Sequence, residues 1–382
     1  MATKTLNQNI NQAINDFKGV KQAIIEKGVE IPSGTPTSEY GAKIGEIQSG
    51  GSGSTELKIT DFSYFCYMGK RTDILEQLDT SQGTTFSDMF NSCSSLTEIP
   101  QLDTSQGTAF NGMFCKCSSL TEIPQLDTSQ GTTFNGMFRS CSSLTEIPQL
   151  DTSQGTDFGN MFSECSSLTE IPQLDTSQAT TLYYMFCKCS SLTEIPQLDT
   201  SNVTVFDATF MNCSSLVTIP QLDTSKGTDF DTMFTNCKSL VTVPQLNTAK
   251  ATTMSSMFSN CTSLVTVPRL NTSNSKKCTY MFDGCSSLHT LELTSFTSSS
   301  AMFRGCSALE NLTVTGTITV SNNYLDLSDS PLLTVDSLLS VLNALKRNTV
   351  TTKYKIYLGS TNLAKLTDEQ KAIATNKNYT LA

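Results

Sequence analysis

Tryptophan is absent and histidine occurs once, at His289. A His-rich metal site is therefore excluded, and any Ser-His-Asp triad would hang on that one residue. Charge is sparse, at 16% of residues, and the basic share is the smaller: 25 Lys and Arg against 35 Asp and Glu give a formal net charge of -10. This balance argues against nucleic acid as a partner, because phosphate neutralisation needs a basic surface. No uninterrupted apolar run approaches the roughly 18 residues of a membrane-spanning helix, so membrane insertion is not expected. The opening stretch MATKTLNQNINQAINDFKGVKQAI has no short apolar core and no small-residue cleavage site, which implies folding in a reducing cytoplasm rather than export. No Gly-rich phosphate loop, GxSxG elbow or HExxH is present.

Cysteine, in contrast, is plentiful, and its positions are regular. Cys93, Cys117, Cys141, Cys165, Cys189, Cys213, Cys237, Cys261 and Cys285 are each 24 residues apart, and Cys306 follows 21 later. The segments Phe110 to Gly131 and Phe134 to Gly155 differ at only two positions, both between the Met-Phe pair and the cysteine. Such fixed-length identity predicts a stack of equivalent rungs. Phe90 to Phe303 form one apolar column, Leu96 to Leu309 a second, and Ile99 to Ile219, continued by Val243 and Val267, a third. Ten rungs at a spacing of ~4.8 Å would make a body roughly 45 to 50 Å long.

Within a rung, FxxMFxxCxxL spaces apolar residues by three and four. That spacing predicts one to two helical turns with Phe86, Met89, Phe90 and Cys93 on the inner face. LTEIPQL predicts a very short strand closed by proline, with Leu96, Ile99 and Leu102 inward. LDTSQGT supplies the turn back. A uniform cysteine column offers each thiol two equivalent neighbours, so buried inert thiols are expected rather than disulfides or a metal site. Cys115 and Cys187 occupy a variable position and are expected at the surface, whereas Cys278 falls in the Phe86 column and belongs to the core. His289 reads as a strand-face residue.

These units resemble the BspA-like leucine-rich repeats, whose surface proteins read MFxxCxxL followed by LDTSxxT, over about residues 62 to 312. The resemblance implies a right-handed, parallel-sheet solenoid used for adhesion rather than catalysis. The fold expected is an α/β repeat solenoid: a leucine-rich-repeat-like parallel β-sheet with short helices, an N-terminal helical segment and a C-terminal α/β cap. Four parts follow: 1–48 for attachment or oligomerisation, a Gly/Ser linker at 49–55, the solenoid at 56–314, and a capping module at 315–382. In the last of these, Val335, Leu338, Leu339, Leu342 and Leu345 predict an amphipathic helix N-capped by Thr334. KYKIY predicts a strand, and Thr367 with Gln370 a capping box.

In residues 1–48, Leu6, Ile10, Ala13, Phe17, Val20 and Ile24 are spaced as a coiled-coil seam or as an ordinary amphipathic helix packed on its own chain. The first alternative implies a homotrimer. The phrase KGVEIPSGTPTSEYGAKI, from Lys27 to Ile44, and the closing LGSTNLAKLTDEQKAIATNKNYTLA resemble segments of phage tail-fibre and related virion proteins. They imply a virion fibre, on tail or head, docked to other virion proteins through residues 1–48. Its repeat face would touch a protein or glycan of the host surface. A bacterial surface adhesin and a purely architectural decoration are the alternatives.

The contact face expected from outward strand positions comprises Thr97, Glu98 and Gln101 with Glu122, Gln125, Glu146, Gln149, Glu170, Gln173, Glu194 and Gln197. Glycoside hydrolysis needs two carboxyls in different environments, which a row of identical ones does not supply, so no catalytic residue, cofactor or metal is expected. The Asp column from Asp103 to Asp223 gives way to Asn247 and Asn271. Both residue types cap turns, so turn capping explains the exchange better than calcium does.

Overall fold

The computed structural model describes residues 60–66, 78–298, 301–321 and 324–382. Every rung lies on the next in parallel. Isolated parallel bridges run Asp61 to Thr85 to Ala109 to Thr133, and on by steps of 24 residues to Lys277. The phenylalanine columns explain why the units stack. Phe138 is wholly buried, its ring 5.6 Å from Phe114 and 5.7 Å from Phe162, with the planes within 7° of parallel. A second column stacks Phe86, Phe110 and Phe134 at 5.7 and 5.8 Å. Each rung covers the apolar face of its neighbour, which no 24-residue unit could do alone.

The helix expected at FxxMFxxC does not form, and among the described residues no helix precedes Val335. The segment is a chain of tight turns. Met89 N–H bonds to Phe86 C=O at 3.2 Å and Cys93 N–H to Phe90 C=O at 3.0 Å, while Asp88 and Ser92 take positive φ of 56° and 65°. Intervening N–H groups of Phe86, Asp88, Phe90 and Ser92 reach carbonyls of the next rung at 2.7 to 2.9 Å. A helix would spend those donors internally and leave the rungs unbonded on this side. Turns reproduce the three-and-four apolar spacing while freeing alternate donors for the stack.

On the other side of the rung the very short strand expected at LTEIPQL does not form in the rungs from Leu96 to Leu246, where only Thr242 makes a bridge and each proline removes a main-chain donor. Continuous strand appears only late: β1 (Thr266–Leu270), β2 (Thr290–Leu293) and β4 (Asn311–Val314) form one parallel sheet, and β3 (Phe296–Ser298) pairs in parallel with β5 (Ile318–Val320). β2 and β4 carry no proline, and between them the ladder runs unbroken from Thr290–Asn311 to Leu293–Val314.

The C-terminal cap has the expected elements. Helix α1 (Val335–Ala344) starts at Thr334, whose hydroxyl accepts from Ser337 N–H, and buries Leu338, Val341 and Leu342. Its Ser337 and Ser340 hydroxyls accept the N–H groups of Leu312 and Val314, both at 2.9 Å. These serines occupy the donors that a further rung would have used, so the edge of β4 cannot template another strand. Beyond it, β6 (Tyr324–Asp326), β7 (Tyr354–Tyr357) and β8 (Tyr379–Leu381) make a parallel sheet, joined by α2 (Gly359–Ala364) and α3 (Asp368–Thr375). The Thr367–Gln370 capping box opens α3.

Candidate functional site

Glu98, Glu122, Glu146, Glu170 and Glu194 stand in one exposed column beside the exposed Thr97 column. Both columns lie outward because the buried positions recur every third residue, as at Leu96, Ile99 and Leu102. None of these carboxylates meets a cation or a hydrogen-bond donor among the described residues. The Thr97 column changes character along the stack. After Thr193 it continues as Val217, Val241 and Val265, each at least 40% exposed, and then as exposed His289. His289 N–H bonds to Val265 C=O at 2.9 Å, which makes it the strand-face residue expected.

Gln101, Gln125, Gln149, Gln173 and Gln197, expected as contact residues, hold the stack together. Each side-chain amide donates to the main-chain carbonyl of the glutamine 24 residues on, at 2.7 Å from Gln101 to Gln197. Each also donates to the carbonyl of the leucine that follows it, for example Gln149 to Leu150 at 3.1 Å. The adjacent proline has no N–H to give, and the glutamine amide supplies the donor in its place. Within LDTS, Asp151 Oδ1 accepts from the Ser153 backbone N–H at 3.0 Å and its hydroxyl at 2.7 Å; both bonds hold the carboxyl below the usual aspartate range. Asn271 makes the same backbone bond to Ser273, so Asp and Asn are interchangeable here. The neighbouring threonine is buried and ties rungs together: Thr104 donates to Asp127 C=O at 2.7 Å. Sequence reasoning missed this column, although threonine stays at 248 where Asp and Ser have become Asn247 and Ala249. Gln197, Gln221 and Gln245 with Asp199, Asp223 and Asn247 edge an open groove of about 660 Å³.

The cysteine column is buried and forms no disulfide: from Cys117 to Cys306 each thiol donates to a phenylalanine carbonyl of the preceding rung, as Cys141 does to Phe114 at 3.0 Å, and Cys93 donates to the Cys66 carbonyl at 2.8 Å. Burial pushes the Cys165 thiol up to about 12, which withholds the thiolate that redox and metal chemistry need. Cys115 and Cys187 are also buried, at 8% and 2% exposure, contrary to their expected surface position. A side chain as small as that of Cys115, Ser163 or Cys187 is buried at this position, whereas the long charged Arg139 stays exposed. Cys278 is in the core at 1%. The seam residues Leu6, Ile10, Ala13, Phe17, Val20 and Ile24 lie outside the described residues.

A second surface, formed by the turns, varies from rung to rung even where the strand side is constant. Positions 159–160, 183–184, 207–208 and 231–232 read Gly-Asn, Tyr-Tyr, Asp-Ala and Asp-Thr. The first two of these rungs repeat LTEIPQLDTS at 168–177 and 192–201 without a change. Glu164 is fixed there by Lys188 at 2.6 Å and Ser140 at 2.7 Å, which together keep its carboxyl below the usual range. Tyr183 is 42% exposed, with its ring centroid 4.3 Å from that of Tyr184.

The arrangement defines a class: a parallel-stacked repeat solenoid, closed at one end, that presents columns of side chains on a rigid core. Family comparison agrees. Overlapping matches over residues 60–170, 118–218, 156–266, 180–296 and 218–316 cover more than half of the chain, and the chain belongs to the family described as Mycoplasma protein of unknown function, DUF285. Among solved structures it is similar to a leucine-rich repeat protein from Eubacterium ventriosum at 16% identity and a TM-score of 0.38, over 71% of this chain and 81% of that one. A second is the T. pallidum leucine-rich repeat protein, at 15% identity and 0.24, over 69% and 84%. A third is the functional domain of InlJ from Listeria monocytogenes, which includes a cysteine ladder, at 15% and 0.24 over 82% and 70%. No curated protein matches the chain. Among the described residues no helix is long and apolar enough to cross a membrane.

Proposed function

We propose that this chain is a non-enzymatic adhesin displayed on a bacterial surface, whose Thr97 and Glu98 columns contact a protein or glycan of another surface. One observation carries the reading: five exposed carboxylates repeat in one column with no partner among the described residues, on a core whose stacking repeats their spacing from rung to rung. Identical environments suit repeated weak contact and do not suit acid-base catalysis, which requires two carboxyls of different proton affinity. Affinity would come from many small contacts made together. Self-association through residues 1–48 as a homotrimer would multiply them further, and a trimeric mass of the full chain in light scattering is the expected result. The virion-fibre expectation draws no support from the comparisons, so the surface adhesin is preferred.

The test is adsorption of the full chain to cells and to immobilised host-surface proteins and glycans. A variant carrying Gln at 98, 122, 146, 170 and 194 should keep its melting temperature and lose most of the adsorption. Unchanged adsorption of that variant, or none by the parent chain to any surface, overturns the proposal.

A further inference from the structure

The turn surface holds a second feature, independent of the adhesive columns and on a different part of the rung. Tyr183 interrupts a column that reads Asn111, Asn135 and Gly159 before it and Asp207 and Asp231 after it. Tyr184 N–H bonds to Asp207 C=O at 3.0 Å, so the tyrosine pair and Asp207 are on directly stacked rungs. Gly159, one rung before Tyr183, contributes no side chain. Asp207 is half-buried and accepts one side-chain bond, from the Thr232 hydroxyl at 2.9 Å. The charged neighbours that act on it are Asp229 and Asp231, both acidic, and no cation among the described residues pairs with it. Asp231 is already engaged, by the Thr253 hydroxyl and by Ser255 N–H at 2.6 Å. Asp229 likewise accepts from Asp231 N–H at 3.1 Å, with Lys277 in its field.

The same solenoid shows what tyrosine and aspartate hold when a cation is supplied. Tyr280 occupies the Tyr184 position four rungs on, and the Arg304 guanidinium lies 5.4 Å from its ring centroid. That guanidinium bonds both oxygens of Asp283, at 2.7 and 2.6 Å. A planar cation is held by a ring quadrupole and a bidentate carboxylate together. At Tyr183, Tyr184 and Asp207 the rings and a carboxylate are again present, the carboxylate coming from the next rung instead of the ring's own, and no arginine among the described residues pairs with it.

We propose that Tyr183, Tyr184 and Asp207 form a docking site for an arginine side chain of a partner protein. The rings give it a stacking surface, and Asp207 gives it the charge. Guanidinium is favoured over ammonium because it is less strongly hydrated and stacks on aromatic faces.

The test is a titration of the full chain, labelled at tyrosine for NMR, with N-acetyl-arginine amide, its citrulline counterpart and N-acetyl-lysine amide as probes. Saturable shifts of the Tyr183 and Tyr184 signals are expected with the arginine amide alone. Asp207→Asn should weaken binding by about tenfold, and Tyr183→Ala should do so separately. Glu369→Gln, exposed in the C-terminal cap, should leave binding unchanged and so control for the acidity of the whole chain. Equal shifts with citrulline or with the lysine amide overturn the assignment. So do unchanged binding by a folded Asp207→Asn variant and the absence of saturable shifts up to about 0.1 M probe. None of these results depends on cell adsorption, so this site and the adhesive face stand or fall separately.

Discussion

The side-chain amide of Gln149 donates to the main-chain carbonyl of Gln173 at 2.7 Å, bridging two rungs at the point where Pro148 and Pro172 have no N–H to offer. Glutamine and proline thus form one device. It gives the first prediction. Gln149→Met leaves the Leu150 and Gln173 carbonyls with one donor fewer each and should cost about 1 kcal/mol, whereas Glu146→Gln, three residues earlier on the main proposed contact column, should change stability by less than ~0.5 kcal/mol. Urea unfolding of both variants checks the contrast; equal effects would mean that the glutamines are surface groups after all.

Phe138 has no exposed surface and stacks on both neighbours. Phe138→Ala should therefore cost ~3 to 5 kcal/mol, and a calorimetric loss below ~1 kcal/mol would show that the column is not core.

Cys141 donates its thiol proton to the Phe114 carbonyl and is fully buried. Burial also raises its proton affinity well above that of an ordinary thiol. At pH 8 the folded chain should leave Cys141 and Cys165 unlabelled by a thiol-reactive disulfide while unfolded protein reacts at once. Rapid labelling of either in the native state, read by mass spectrometry, would contradict the packing.

Ala208 is buried with φ of 53° in a column where Gly112 and Gly136 take 58° and 62°. A left-handed conformation costs a residue with a Cβ roughly 1 to 2 kcal/mol, part of which glycine gives back as unfolded-chain entropy. Ala208→Gly should raise stability by about 0.5 to 1 kcal/mol. A fall in melting temperature would count against strain at this column.

Burial pushes the Asp207 carboxyl up to about 6, with Asp229 and Asp231 adding to the shift against the Thr232 hydrogen bond. The folded state thus holds this proton more tightly than the unfolded chain, whose carboxyl titrates near 3.8. Its contribution favours folding at pH below about 4 and is lost as the pH rises through 6. Asp207→Asn should accordingly raise the melting temperature at pH 7.5 and change it less at pH 4. The reverse order would refute the desolvated carboxylate.

How much of this was legible beforehand differs residue by residue. The Phe, Leu, Ile and Cys columns were, because a 24-residue period repeated in register permits only stacking. The cap was legible too, since Thr334 and the Thr367–Gln370 pair are local signals that act within one turn of their own helix. The spacing at 86–93 predicts a helix because a run of turns shares its apolar period. An outward position, as at Gln101 and its equivalents, does not reveal whether the amide points to solvent or along the stack. No local pattern marks the proposed docking site, because Asp207 is 24 residues from Tyr183 and only stacking makes them neighbours.

The amino-acid order by itself determined that there are rungs, how many residues each contains, and which positions face inward, because burial of an apolar column depends only on repetition. Tertiary structure decided where every donor and acceptor goes. Whether a main-chain N–H closes a turn or crosses to the next rung, and whether an exposed carboxylate finds a partner, depends on distances between chain segments that no local pattern encodes.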